Sequence, residues 1–173
     1  MTKKQENIIN AALQLFAQEG YTATSTNKVA KLAGVSEGLI FRHFTNKEGL
    51  LKAIIEEGER KVLTLFETIF KETEPKKIIQ KTITLPFLIP NEELEFWKLQ
   101  FKLKWELNHN NSNKLKPLQE KLIHSFKTLN YQNPELEAAY VLTFLEGLST
   151  AIIKGTLTNR TEFQDFLIYK YQL

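Results

Sequence analysis

The sequence predicts an all-α fold: an N-terminal three-helix head that contains a helix-turn-helix, followed by a C-terminal helical body. Three observations predict it. Apolar residues recur at helical spacing through the chain, glycines and capping residues punctuate those stretches, and no segment has an evident partner with which to form a sheet. Residues 4 to 18 make the first helix, with Ile8, Ala11, Ala12, Leu15 and Phe16 on one stripe and Gly20 at its end. In the second, Val29, Ala30, Leu32 and Ala33 supply a small apolar face, and Gly34 is the residue best suited to the left-handed conformation that stops a helix. Val35 plugs the turn, Ser36 caps the third helix, and Leu39, Ile40 and Phe44 pack inward. Glu37, Gly38, Phe41, Arg42 and His43 are left partly outside.

Thr45 or Asn46 caps a fourth helix that begins near Lys47 and continues toward Thr73, where Pro75 blocks extension. The segment KKIIQKTITLPFLI between Pro75 and Pro90 has mixed periodicity and reads as a helix to Leu85 or, on β-branched content, as a strand. Helix is preferred, because a lone strand leaves its backbone groups unpaired. Asn91 caps a helix with Glu92 and Glu93 in its first turn that reaches about His109, and the Asn-Ser run at 110 to 113 is a loop. A helix from about Lys114 to Leu129 tolerates Pro117 near its start. Asn133-Pro134 opens a long helix to about Ile153, with Gly155 near its end, and Thr161 with Glu162 starts a short last one.

Two short helices joined by a tight turn, the second with an exposed N-terminus, suit the major groove of DNA. The net charge of +3 says little about partners, but residues 1 to 47 carry Lys3, Lys4, Lys28, Lys31, Arg42 and Lys47 against Glu6, Glu19 and Glu37. With no cysteine, disulfides and thiolate metal sites are excluded. Asp165 is the single aspartate, and His43, His109 and His124 are far apart without ligand spacing, so neither a catalytic triad nor a metal site is expected. The amphipathic N-terminus is unlike a signal peptide, and no apolar run approaches the ~20 residues of a membrane span, which predicts a cytoplasmic protein without cofactor.

Phe16, Gly20-Tyr21, Thr24-Ser25, Val29-Ala30, Ala33-Gly34-Val35-Ser36, Gly38, Phe41, Phe44 and Lys47-Glu48 stand at fixed mutual spacings. In these the chain resembles the TetR family of transcriptional regulators, over about its first third. The resemblance implies a helix-turn-helix DNA-binding domain at 1–46 and a helical ligand-binding and dimerisation domain at 47–173. By that resemblance Ser25 and Lys47 anchor phosphates, Ser36, Glu37 and Gly38 lie nearest base edges, and Arg42 and His43 reach base or backbone. Thr26 and Phe41 complete the DNA-binding set. Phe41 departs from the family, which has a tyrosine there, so a phosphate hydrogen bond is lost and Arg42 and His43 must carry more of the binding.

Trp97, Phe101 and Trp105 recur every four residues and read either as core or as the wall of a ligand cavity, with Phe66, Phe70, Phe87, Tyr140 and Phe144 as further candidates. Lys104 and Glu106 read as a solvated face. Leu142, Leu145, Leu148, Ile152 and Ile153, then Phe163, Phe166 and Leu167, exceed what one buried face requires; they mark an interface or bury each other. The resemblance implies a homodimer through the last two helices that reads a near-palindromic operator in double-stranded DNA. It further implies a repressor released by a small apolar ligand, with coupling through the helix from Lys47 to Thr73. The rival reading is a helical protein-interaction module that has lost specific DNA binding.

Overall fold

The computed structural model describes residues 1–107 and 112–172, and these contain nine α-helices and no strand. α1 runs Lys3–Glu19, α2 Thr26–Ala33, α3 Glu37–Phe44, α4 Lys47–Phe70 and α5 Pro75–Thr84. α6 runs Leu94–Glu106, α7 Ser112–Thr128, α8 Pro134–Lys154 and α9 Arg160–Tyr171. His109 and the first half of the predicted loop lie outside the described residues, whereas Ser112 and Asn113 belong to α7.

The chain divides into two compact units, Met1–Val62 with Glu95–Asn110 and Leu63–Leu94 with Asn111–Leu173. The division expected after residue 46 falls inside the first unit, for a reason visible in its core. Ile8, Leu13, Phe16 and Ile40 are joined there by Leu50 and Ile54 of α4 and Leu103 of α6, each at most 1% exposed. Helices as short as α2 and α3, with eight residues each, bury too little to close a core by themselves. Phe96 and Leu99 of α6, and Leu107 just after it, pack against the same cluster. Gln100, also buried, donates from Nε2 to the Ile54 carbonyl at 2.7 Å, in space left by Gly58.

Hydrogen bonds fix the local corners of this unit. Thr2 and Gln5 form a capping box at the start of α1 that the sequence reading did not identify. The buried Thr24 hydroxyl reaches back to the Gly20 and Leu15 carbonyls at 2.9 and 3.3 Å, closing α1 onto the start of α2. Gly34 has φ +67° and sends its N–H to the last carbonyls of α2, as its left-handed cap requires. Leu32, expected inward, is 50% exposed, because Val29, Ala30 and Ala33 form one face and Leu32 projects off it. Between α3 and α4, Asn46 is the cap: its side-chain oxygen accepts the Gly49 N–H at 2.7 Å. Thr45 instead sits at φ 67°, ψ −48°, the centre of a strained γ-turn in which the Asn46 N–H meets the Phe44 carbonyl at 2.7 Å.

In the second unit, α7 packs against α5 and α8 around Ile79, Ile83, Leu118, Leu122, Phe126 and Val141. α4 stops at Phe70, short of Thr73, because the Glu72 carboxylate turns the corner. It accepts the Thr73 and Glu74 N–H groups and the Lys81 ammonium at 2.7 Å, and these bonds, led by that of Lys81, lower its pKa to about 2. A carboxyl depressed in the folded state contributes stability above its ordinary range and loses it as pH falls toward 2. α5 is the helix expected there and ends in a 3₁₀ turn over Leu85–Leu88. Asn91 is not the cap of α6. Pro90 precedes a 3₁₀ turn at Asn91–Glu93, the α-helix begins at Leu94, and the Asn91 side chain accepts from Arg160 at 3.3 Å.

Most of the apolar surplus on the last two helices is spent inside the chain: Leu145, Leu148, Ile152, Ile153 and Leu167 are buried, and Leu142 and Phe163 half-buried. Leu136, Tyr140, Phe166 and Tyr169 remain exposed at 49% or more. α8 corrects the expectation about apolar runs, since it is long and apolar enough by composition to cross a bilayer, with mean hydropathy 1.4 over its best window. That composition serves a buried face and an exposed apolar one on the same helix.

Candidate nucleic-acid interface

α2 and α3 present their N-termini and the outer face of α3 as one surface of the first unit. Ile40 is fully buried and Leu39 and Phe44 pack on the core, which turns Gly38, Phe41, Arg42 and His43 outward. Phe41 is 45% exposed, and Arg42 makes no hydrogen bond or ion pair among the described residues. His43 is exposed, and its Nδ1 lies 3.4 Å from Nε2 of Gln5.

The hydroxyls divide into engaged and open ones. Ser25 caps α2, its oxygen accepting the Lys28 N–H at 3.2 Å, which leaves its own proton to donate elsewhere. Ser36 stands at the cap position of α3 in extended conformation, but its side chain makes no cap bond, a correction to its expected role. Thr26 donates to the Glu37 carboxylate at 2.6 Å, and Asn27 approaches the other carboxylate oxygen at 3.4 Å. No sequence pattern had linked those three side chains.

Charge on this surface is more selective than a count of lysines suggests. Lys28 is paired with Glu19 at 2.6 Å. Lys47, expected on the outside, is half-buried: its ammonium lies 4.5 Å from the Tyr21 ring centroid and donates to the Thr22 carbonyl at 3.2 Å. Tyr21 in turn stacks edge-on against Phe16. Lys47 therefore ties α4 to the end of α1, and Lys47→Ala is expected to lower head stability by about 1 kcal/mol, the strength of one exposed cation–π contact. Unfolding in urea checks this, and an unchanged midpoint would contradict the tie.

The aromatic stripe of α6 does not hold together. Trp97 is 5% exposed and Phe101 half-buried, but Trp105 is 82% exposed, because four-residue steps overshoot a helical turn and drift around the axis. In the second unit Phe66 is buried, Phe87 and Phe144 are half-buried, and Phe70 and Tyr140 are exposed. Tyr140 alone of the predicted wall lines an open cleft of about 820 Å³ with Tyr131, Leu136, Tyr171 and their neighbours. Burial, then the hydrogen bond with Tyr140, pushes the Tyr171 phenol up. Among the described residues no cluster could hold a metal ion.

Residues 8–54 match the family model described as bacterial regulatory proteins, tetR family. The uncharacterised HTH-type transcriptional regulator YvkB of Bacillus subtilis is 46% identical over 55 residues, 32% of this chain and 29% of that protein. The fatty acid metabolism regulator protein of the same organism is 35% identical over 74 residues, 43% of this chain and 38% of that protein. The chain thus spans roughly a third of the length of these curated relatives. The structure of a transcriptional regulator FadR from Bacillus subtilis in complex with stearoyl-CoA aligns with TM-score 0.63 at 19% identity, over 96% of each chain, a likeness of fold.

Proposed function

We propose, since the chain belongs to the tetR family of bacterial regulatory proteins, that it is a homodimeric repressor that binds a near-palindromic operator and leaves it when an apolar ligand fills the body. The observation that carries the reading is the outer face of α3, where Gly38 and Phe41 are held outward and the Arg42 guanidinium and Ser36 hydroxyl make no hydrogen bond or ion pair among the described residues. A helix so presented fits the major groove, with Arg42 and Ser25 reaching phosphate or base. The test is footprinting on the DNA upstream of the protein's own gene across a salt series. Affinity that falls steeply with salt is expected, and binding indifferent to salt would remove the reading. Arg42→Ala should weaken binding to every sequence and flatten the salt slope by about one unit.

Phe41 is the one observation that favours the rival, a head used for protein contact, because an exposed ring of this kind suits an apolar partner. Phe41→Tyr separates the two. A restored phosphate hydrogen bond should tighten DNA binding by about 0.5 to 1.5 kcal/mol, and a loss of affinity would turn the ring away from DNA.

Dimerisation rests on the apolar side chains that α8 and α9 leave exposed, Leu136, Tyr140, Phe166 and Tyr169, which would meet their own copies about a two-fold axis. Two heads would then engage half-sites about one DNA turn apart, ~34 to 36 Å. Phe166→Glu is expected to give monomers by light scattering with an unchanged helical spectrum, whereas Leu145 is a poor target because it is buried within the chain. The ligand class is suggested by the relative named for fatty acid metabolism and the neighbour that holds stearoyl-CoA: an apolar acyl chain against Phe66, Phe87 and Phe144. Acyl-CoA thioesters of graded length should raise the melting temperature by mass action and release DNA. An unshifted melting temperature with every length would exclude this class.

A further inference from the structure

We infer that Glu37 reads a cytosine in each half-site, with Thr26 as the residue that positions it; this rests on the DNA-binding reading above. The Glu37 carboxylate is at the first position of α3, half-buried, with Thr26 Oγ1 donating to Oε1 at 2.6 Å and Asn27 Nδ2 facing Oε2 at 3.4 Å. An ionised carboxylate offers about four acceptor sites, so two bonds from α2 fix its direction and leave the others open. A side chain already held gives up less freedom when it binds.

The neighbouring residue points the same way. A Cβ added at Gly38 would meet no atom within 4 Å among the described residues, so their packing does not require a glycine there, although glycine is the poorest helix former after proline. Its smallness serves the approach of something outside the chain. In the major groove a group that can only accept needs a donor. Guanine shows two acceptors and thymine one with a methyl, while adenine sets an acceptor beside its amine; cytosine presents its 4-amino group as its one polar feature. The carboxylate is also repelled by phosphates, which keeps it on base edges.

The test is selection of bound sequences from a random duplex library by the full chain and by Glu37→Gln, Glu37→Ala and Thr26→Val. Wild type should enrich a paired motif with cytosine at one position of each half. Glu37→Gln, isosteric and able to pair with both groups of adenine, should move that position toward adenine, and Glu37→Ala should lower discrimination there roughly tenfold. Thr26→Val should weaken discrimination at that position more than at any other position of the motif, which a merely structural role would not produce. A wild-type motif that neither Glu37 variant alters would overturn the inference and leave DNA binding standing. Failure of wild type to enrich any motif would remove both.

Discussion

Leu103→Ala is expected to destabilise the first unit by about 2 to 5 kcal/mol, although the residue lies far outside the segment that resembles a DNA-binding head. Leu103 is fully buried among Ile8, Phe16, Ile40, Leu50 and Ile54, so truncation removes methyl groups from the centre of a core that short helices cannot refill by collapse. Urea unfolding of the full chain, followed by mobility shift at temperatures below the transition, measures the effect. DNA affinity should disappear at a lower temperature in the variant than in the parent. Trp105→Ala, at 82% exposure on the same helix, should stay within about 0.5 kcal/mol. A Leu103 variant as stable as the Trp105 one would mean that α6 does not complete the head.

That pair of residues also shows where the sequence was legible and where it was not. α1 to α3 could be read because each carries local punctuation: the stripe Ile8 to Phe16, Gly34 in its left-handed cap, Ile40 and Phe44 turned inward. The helical body followed from the same periodicity. α6 misled because large aromatics drew attention to a four-residue repeat, while the side chains that enter the head core, Leu99, Leu103 and Leu107, are ordinary leucines and the buried Gln100 is polar. Which of two units a helix serves is decided by chain segments distant in sequence, and no single window contains them.

The interface shows the same division. Exposure of Gly38, Arg42 and His43 followed from helical spacing. The Thr26 to Glu37 bond spans 11 residues and the Lys47 to Thr22 bond 25, and both depend on how the helices meet. Lysine carries no mark in the sequence that says whether it faces a phosphate or a tyrosine ring. Asn91 followed by two glutamates read as a capped helix start, and the 3₁₀ turn that precedes α6 is a distinction of backbone pitch that composition does not encode.

Gly49→Ala should cost at least about 3 kcal/mol and abolish DNA binding, the upper end of what overpacking costs because the obstacle is backbone. A Cβ at Gly49 would overlap the Phe44 carbonyl oxygen. That oxygen cannot step aside: it accepts the Asn46 N–H within the strained turn at Thr45, and the turn sets the angle at which α3 leaves α4. The substitution must therefore open the γ-turn or tilt α3, and either displaces Arg42 and Glu37 from the surface they share. Gly38→Ala is the opposite case, because open space and a helical backbone await the methyl group, and stability should rise by roughly 0.5 to 1 kcal/mol. Its DNA affinity should nonetheless fall, since the methyl group occupies the approach beside Glu37. Chemical denaturation and mobility shift on the two variants give four readings. A Gly49→Ala variant as stable as the parent would show that the α3–α4 junction tolerates the clash and would sink the account of its rigidity.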